Sequence, residues 1–168
     1  TDPPLKPRAP VAATLRRHMV LPAPRLANRR GFRKGRPMQS YPLYPKRRVH
    51  VLDGVWDFSF LGENVALEHL DAAAVHCPGR TAVPGCFDAF PATAGKRGTA
   101  VYRTVVEVTP GTAGLLTFGG LGMWARVLVD GIALREVALP YTAFEVPVPT
   151  SDRPQREVRV VVDNRFDR

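Results

Sequence analysis

The chain has 168 residues, 45% hydrophobic and 23% charged, which is enough material for one globular domain with its own core. No run of about 20 apolar residues occurs, so no membrane-spanning helix is expected, and two cysteines are too few for a disulfide scaffold. The net charge of +9 is unevenly placed: residues 1–48 hold 13 Lys and Arg against one acid and nine of the 17 prolines, whereas residues 49–168 hold 11 Lys and Arg against 14 acids.

The chain therefore reads as a basic, Pro-rich arm, residues 1–48, joined to a mildly acidic domain, residues 49–168. Pro3, Pro4, Pro7, Pro10, Pro22 and Pro24 interrupt any long helix, and clusters such as Arg29-Arg30 and Lys46-Arg47-Arg48 repel one another. With little apolar surface to offset ordering entropy, most of the arm is expected to be extended or disordered. Such an arm suits phosphate contacts or an Arg-rich targeting role. The plainer reading is preferred: a disordered tail, or sequence upstream of a natural start at Met38. The arm lacks the apolar core of a secretory signal, which favours the cytoplasm.

From Val49 the pattern has period two. Trp56, Phe58 and Phe60 share one face of a strand, with Asp57 and Ser59 on the other. Residues 63–75 are expected to form one or two helical turns with Leu67, Leu70 and Ala74 inward. Thr81-Ala82-Val83 is a short strand that stops at Pro84-Gly85, and a loop rich in Gly, Ala and Pro runs to Gly98. Thr99 to Val108 is the clearest strand, with Tyr102, Thr104, Val106 and Val108 on one face. Leu115 to Phe118 follows, and Gly119-Gly120-Leu121-Gly122 reads as a turn or bulge. Trp124 to Val129 and Ile132 to Val137 flank Asp130-Gly131, a strong hairpin signal because both turn positions need positive φ. Ala143 to Val148 and Glu157 to Val162 complete seven to nine strands. Two packed antiparallel sheets bury such faces best, so the predicted fold is all-β: an antiparallel β-sandwich of jelly-roll type.

The chemistry is sparse. His18, His50, His69 and His76 lack zinc-ligand spacing, and Cys77 and Cys86 lack C-x-x-C spacing, so neither a metal nor another cofactor is expected. The two cysteines are read as free thiols, with pairing left open for a secreted chain. Asp53 and Asp57, and Asp163 and Asp167, lie close in sequence, yet without an evident pocket they read as turn and edge carboxylates rather than a glycosidase acid pair.

An ordered series of motifs adds to this. Tyr44-Pro45 leads to Leu52-Asp53-Gly54-Val55-Trp56-Asp57-Phe58. Then come Val83-Pro84-Gly85-Cys86-Phe87-Asp88, Gly98-Thr99-Ala100-Val101-Tyr102-Arg103, Leu116 to Gly119 with Ala125 to Gly131, Pro140 to Phe144, and Val160-Val161-Val162-Asp163-Asn164. In this order they resemble the N-terminal sugar-binding domain of glycoside hydrolase family 2, the family of β-glucuronidases, β-galactosidases and β-mannosidases, with a lean toward the first. Val101 replaces the family's Trp, and Asp130 replaces its hairpin Asn. The resemblance implies a hydrolase whose immunoglobulin-like domain and barrel, with both catalytic glutamates, lie outside this sequence. This segment is then a scaffold, an oligomer contact and one wall of a carbohydrate pocket, partnered by a catalytic domain and inactive alone. The expected substrate contacts are Phe87 stacking on a sugar face, Asp88 accepting sugar hydroxyls, Arg97 meeting a uronide carboxylate, and the edge formed by Asp163, Asn164 and Arg165. The alternatives are a free-standing carbohydrate-binding module with Phe87, Phe90, Trp124 or Tyr141 as its platform, and a jelly-roll shell protein whose basic arm binds nucleic acid, the least favoured partner.

Overall fold

The computed structural model describes residues 12–16, for the backbone only, together with 49–138 and 141–165. Ten strands occur among them: β1 (Ala12–Arg16), β2 (Val49–Val51), β3 (Gly54–Gly62), β4 (Gly79–Val83), β5 (Thr99–Glu107), β6 (Gly114–Gly120), β7 (Trp124–Val129), β8 (Ile132–Ala138), β9 (Phe144–Val148) and β10 (Gln155–Asp163). They pair antiparallel into a four-stranded sheet, β2-β1-β6-β9, and a six-stranded sheet, β4-β3-β5-β10-β7-β8. The all-β sandwich is the architecture that the alternation predicts.

The core lies between the sheets. Trp56 and Phe58 from β3, Tyr102 and Val106 from β5, Leu116 and Phe118 from β6 and Val158, Val160 and Val162 from β10 meet there. Phe58 packs edge-on against Tyr102 at 5.2 Å, and Phe118 stacks on Phe144 at 5.0 Å. The Trp56 indole N–H donates to the Leu52 carbonyl at 2.8 Å, so even this central side chain leaves no orphaned donor. The Asp130-Gly131 hairpin has positive φ at both positions, 51° and 81°. Asp130 also does more than turn the chain: its carboxylate accepts from the Glu157 backbone N–H at 2.9 Å and from the Arg156 guanidinium, fastening the β7–β8 hairpin to β10.

Residues 63–78 correct one expectation. They form two isolated turns, at 67–69 and 72–74, rather than a helix. Leu67 and Ala72 are buried against Val101, Leu128 and Val161 on the outer face of the six-stranded sheet, while Ala74 is exposed. The sheet itself supplies the donors that a helix would have provided. Arg126 donates to the Leu67 carbonyl (3.2 Å), and Arg159 donates to those of Ala72 (2.9 Å) and Val75 (2.7 Å).

Five residues of the arm form an extended strand, β1, which lies between β2 and β6. Ala12 to Arg16 falls in the longest Pro-free run of the first 24 residues, between Pro10 and Pro22, so each residue keeps the N–H that a strand paired on both edges requires. The remainder of the arm lies outside the described residues. Cys77 and Cys86 are both free thiols.

Candidate functional site

Loop 84–98 and the end of β10 carry all six residues singled out for substrate contact. The structure brings four of them together. Asp163 ends β10 with no solvent exposure, and its carboxylate accepts from Thr99 Oγ1 (2.7 Å), from the Arg165 backbone N–H (2.9 Å) and from Arg165 Nη2 (2.6 Å). Burial by itself would raise the Asp163 pKa. The bonds from Arg165 and Thr99 outweigh it and hold the carboxyl below its ordinary value. Arg165 reaches on to the Glu63 carbonyl and, through Nη2, to the Val65 carbonyl at 2.9 Å.

Asn164 fastens the other side. Its Oδ1 accepts from the Gly98 N–H (2.8 Å), its backbone N–H donates to the Gly98 carbonyl (3.2 Å), and its own carbonyl accepts from Arg97 Nη1 (3.0 Å). Segments 62–65, 96–99 and 163–165 are thereby drawn into one corner. Gly98 is the residue that lets them meet. Its φ is +145°, and a Cβ there would lie 2.2 Å from the Gly62 carbonyl oxygen.

Phe87 and Asp88 stand at the other end of the loop, in a single 3-10 turn, Phe87–Ala89. The structure corrects the role expected of Phe87. Its ring is 2% exposed and packs 5.3 Å from Phe60 and 6.5 Å from Phe58, so it has no face to offer a sugar. The loop folds back because an apolar ring gains more against the two phenylalanines of β3 than in water, and Thr93 locks the turn by donating to the Phe87 carbonyl. Asp88 accepts from the Cys86 thiol at 2.6 Å. Among the described residues, the exposed aromatics are Phe90, 36% exposed, and Tyr141, 58% exposed, whereas the Trp124 indole donates to Glu136 at 3.0 Å beneath the Arg126 guanidinium.

Sequence reasoning missed a charge ladder across the outer face of the large sheet. Arg103 on β5 pairs with Asp57 on β3 (2.7 Å) and with Glu157 on β10 (2.6 Å), and Glu157 pairs with Arg159 (2.7 Å). Desolvation opposes ionisation of Glu157, but Arg159 and Arg103 outweigh it and lower its pKa. Alternation alone puts these charges on outer faces, and only the register Asp57↔Arg103↔Arg159 reveals that they meet. Asp57 and Asp163 are thus each committed to an arginine, and Asp167 lies outside the described residues. Among the described residues no group of three or more His, Cys, Asp or Glu has the placement to hold a metal.

No family model matches the chain. It is 30% identical over 129 residues to a β-glucuronidase of Streptococcus agalactiae, covering 73% of this chain and 20% of that protein. Its fold superposes on the Faecalibacterium prausnitzii β-glucuronidase with a TM-score of 0.59 at 25% identity, over 69% of this chain and 21% of that one. It superposes on a GH2 β-galacturonidase from Eisenbergiella tayi bound to galacturonate with a TM-score of 0.51 at 28% identity, over 67% and 18%. The chain spans about a fifth of the length of these relatives. Motif order, fold and relatives agree: the β-sandwich of this chain is similar to the corresponding part of β-glucuronidases and of a GH2 β-galacturonidase.

Proposed function

We propose that this chain supplies the non-catalytic sandwich of a family 2 β-glycosidase acting on a β-linked uronide. In that role it is a scaffold, an oligomer contact and one wall of the substrate pocket. The observation that carries the reading is the corner at the end of β10, where Asp163, Asn164 and Arg165 bind three chain segments into a stiff rim at the foot of loop 84–98. Asp88 and Arg97 are the wall residues, an acceptor for sugar hydroxyls and a cation suited to a uronate carboxylate, while Phe87 supports the loop from the core. The named activities of the relatives, a β-glucuronidase and a β-galacturonidase bound to galacturonate, favour a uronide over a neutral sugar. The test is turnover: the purified chain is expected to release no p-nitrophenol from p-nitrophenyl β-D-glucuronide. Release that persists through purification and disappears in a point variant of this chain would refute the non-catalytic role.

A second reading, a carbohydrate-binding module acting alone, draws on the exposed rings of Phe90 and Tyr141. It predicts retention on an immobilised polysaccharide that falls in Tyr141→Ala with the fold intact.

A further inference from the structure

β10 breaks its own pattern at one position. Arg156, Val158, Val160 and Val162 alternate onto the face that lies between the two sheets, so an arginine stands on a face whose next three residues are core valines. Arg156 is almost wholly buried. Its Nε donates to the Asp130 carboxylate and its Nη1 to the Pro149 carbonyl at 2.9 Å. Asp130 thereby neutralises the guanidinium, and Nη2 is left as the one nitrogen of the head group without a bonded partner among the described residues.

Beside that head group the sandwich is not filled. A cavity of about 30 Å³ lies between the sheets, at the opposite end of β10 from Asp163. Val106, Leu116, Val129, Val148 and Val158 wall it together with Arg156, and Thr112, Ala113 and Gly114 line it from the turn that enters β6. The turn is itself tied down. The Gly111 N–H donates to the Ser151 carbonyl at 2.9 Å, and the Thr112 hydroxyl is committed to the Thr109 carbonyl. Ala113 is exposed, which sets the cavity beside water.

Size, walls and charge together define the occupant. A water needs roughly 10–15 Å³ of such space and two to four polar partners, so there is room for about two water-sized groups but only one donor to hold them. The aliphatic walls favour a methyl instead. Because Asp130 already balances Arg156, an ionised ligand would carry surplus charge into a buried place, and a neutral acceptor suits Nη2 better. A methyl borne on a carbonyl meets all three conditions.

We infer that the cavity beside Arg156 is a binding site for an acetyl group, its methyl among the valines and its carbonyl oxygen accepting from Arg156 Nη2. The inference is independent of the glycosidase reading, because it concerns the other end of the sandwich from the corner at Asp163. The test titrates the full chain with acetamide and follows the methyl resonances of Val106, Val148 and Val158. Saturating shifts are expected, with a Kd of roughly 1–10 mM. Formamide, which lacks the methyl, and acetate, which adds a charge, should each bind at least about tenfold more weakly. N-acetylglucosamine saturating the same resonances would place the acetyl group on a sugar, and acetamide alone doing so would place it on a small free amide; either result bears the site out. Gly114→Ala supplies the control. Its Cβ would stand 3.5 Å from the Val148 Cβ, an ordinary contact, so the fold is kept while the added methyl takes up the space. Acetamide should then bind at least about tenfold more weakly. Shifts that stay linear to about 200 mM, an equal response to formamide, or undiminished binding in Gly114→Ala would overturn the inference.

Discussion

Asp163→Asn tests the corner most sharply, because it keeps the shape and removes the charge. The Asp163 side chain is fully buried, and that of Arg165 is 17% exposed. Removing one partner of a fully buried ion pair costs about 3–5 kcal/mol, most of it from the charge left without its counterion. Arg165 retains the Glu63 and Val65 carbonyls and some contact with water, and an asparagine still accepts from Thr99. Those residual bonds place the expected loss at about 2–3 kcal/mol. Urea unfolding followed by the fluorescence of Trp56 and Trp124 reads this directly. With an m-value near ~1.5–2 kcal/mol/M for a domain of this size, the midpoint should fall by about 1–2 M. Arg165→Met should cost less than the sum of the two changes when combined with Asp163→Asn, because both remove the same interaction. A midpoint within about 0.3 M of the parent, or strict additivity, would refute the view that this pair holds the corner together.

Other perturbations follow from the same contacts. Gly98→Ala would place its Cβ 2.2 Å from the Gly62 carbonyl oxygen, and a loss of about 3 kcal/mol or more is expected, against about 1 kcal/mol for Gly95→Ala, where φ is +69° and space is open; thermal melts rank the two. Asp163 and Glu157 have folded pKa values below their ordinary 3.8 and 4.5. Their stabilisation is thus complete above about pH 5 and is lost as pH falls through 4.5 and 3.8 toward the lowered values, so urea midpoints should decline across that acid window and stay level from about pH 5 to 7. Among the described residues the buried Tyr102 hydroxyl has no hydrogen-bond partner, and burial pushes its pKa well up. Tyr102→Phe is therefore expected to change stability by less than about 1 kcal/mol, and a larger loss in a urea titration would show a hidden partner.

The strands were legible because one local rule, alternation, decides which side of a sheet each residue takes. Trp56, Phe58 and Phe60 announce β3, and Asp130-Gly131 announces the β7–β8 hairpin without reference to the rest of the chain. Residues 63–75 misled because Leu67 and Leu70 carry a helical spacing by chance. The carbonyls of Leu67 and Ala72 are satisfied by Arg126 and Arg159, donors that lie far along the chain on β7 and β10. The loop around Phe87 is legible in the sequence but the burial of its ring is not, since the loop's return onto Phe58 and Phe60 leaves no periodic trace. The clustering of Asp163, Asn164 and Arg165 was readable from adjacency. Their attachment to Gly98 and Thr99 depends on the pairing of β5 with β10, and a non-local register is beyond what a single sequence carries. The same limit hid β1, whose partners Val49 on β2 and Leu115 on β6 both lie far along the chain from Arg16.

The central claim, that this sandwich serves as one domain of a larger family 2 glycosidase, is tested most directly by the size of the native product. An antibody against residues 49–165 should detect in the source a polypeptide several times heavier than this chain, and mass spectrometry should find the peptides of the sandwich within it. A native product no heavier than the chain itself, with no larger species carrying these peptides, would contradict the account.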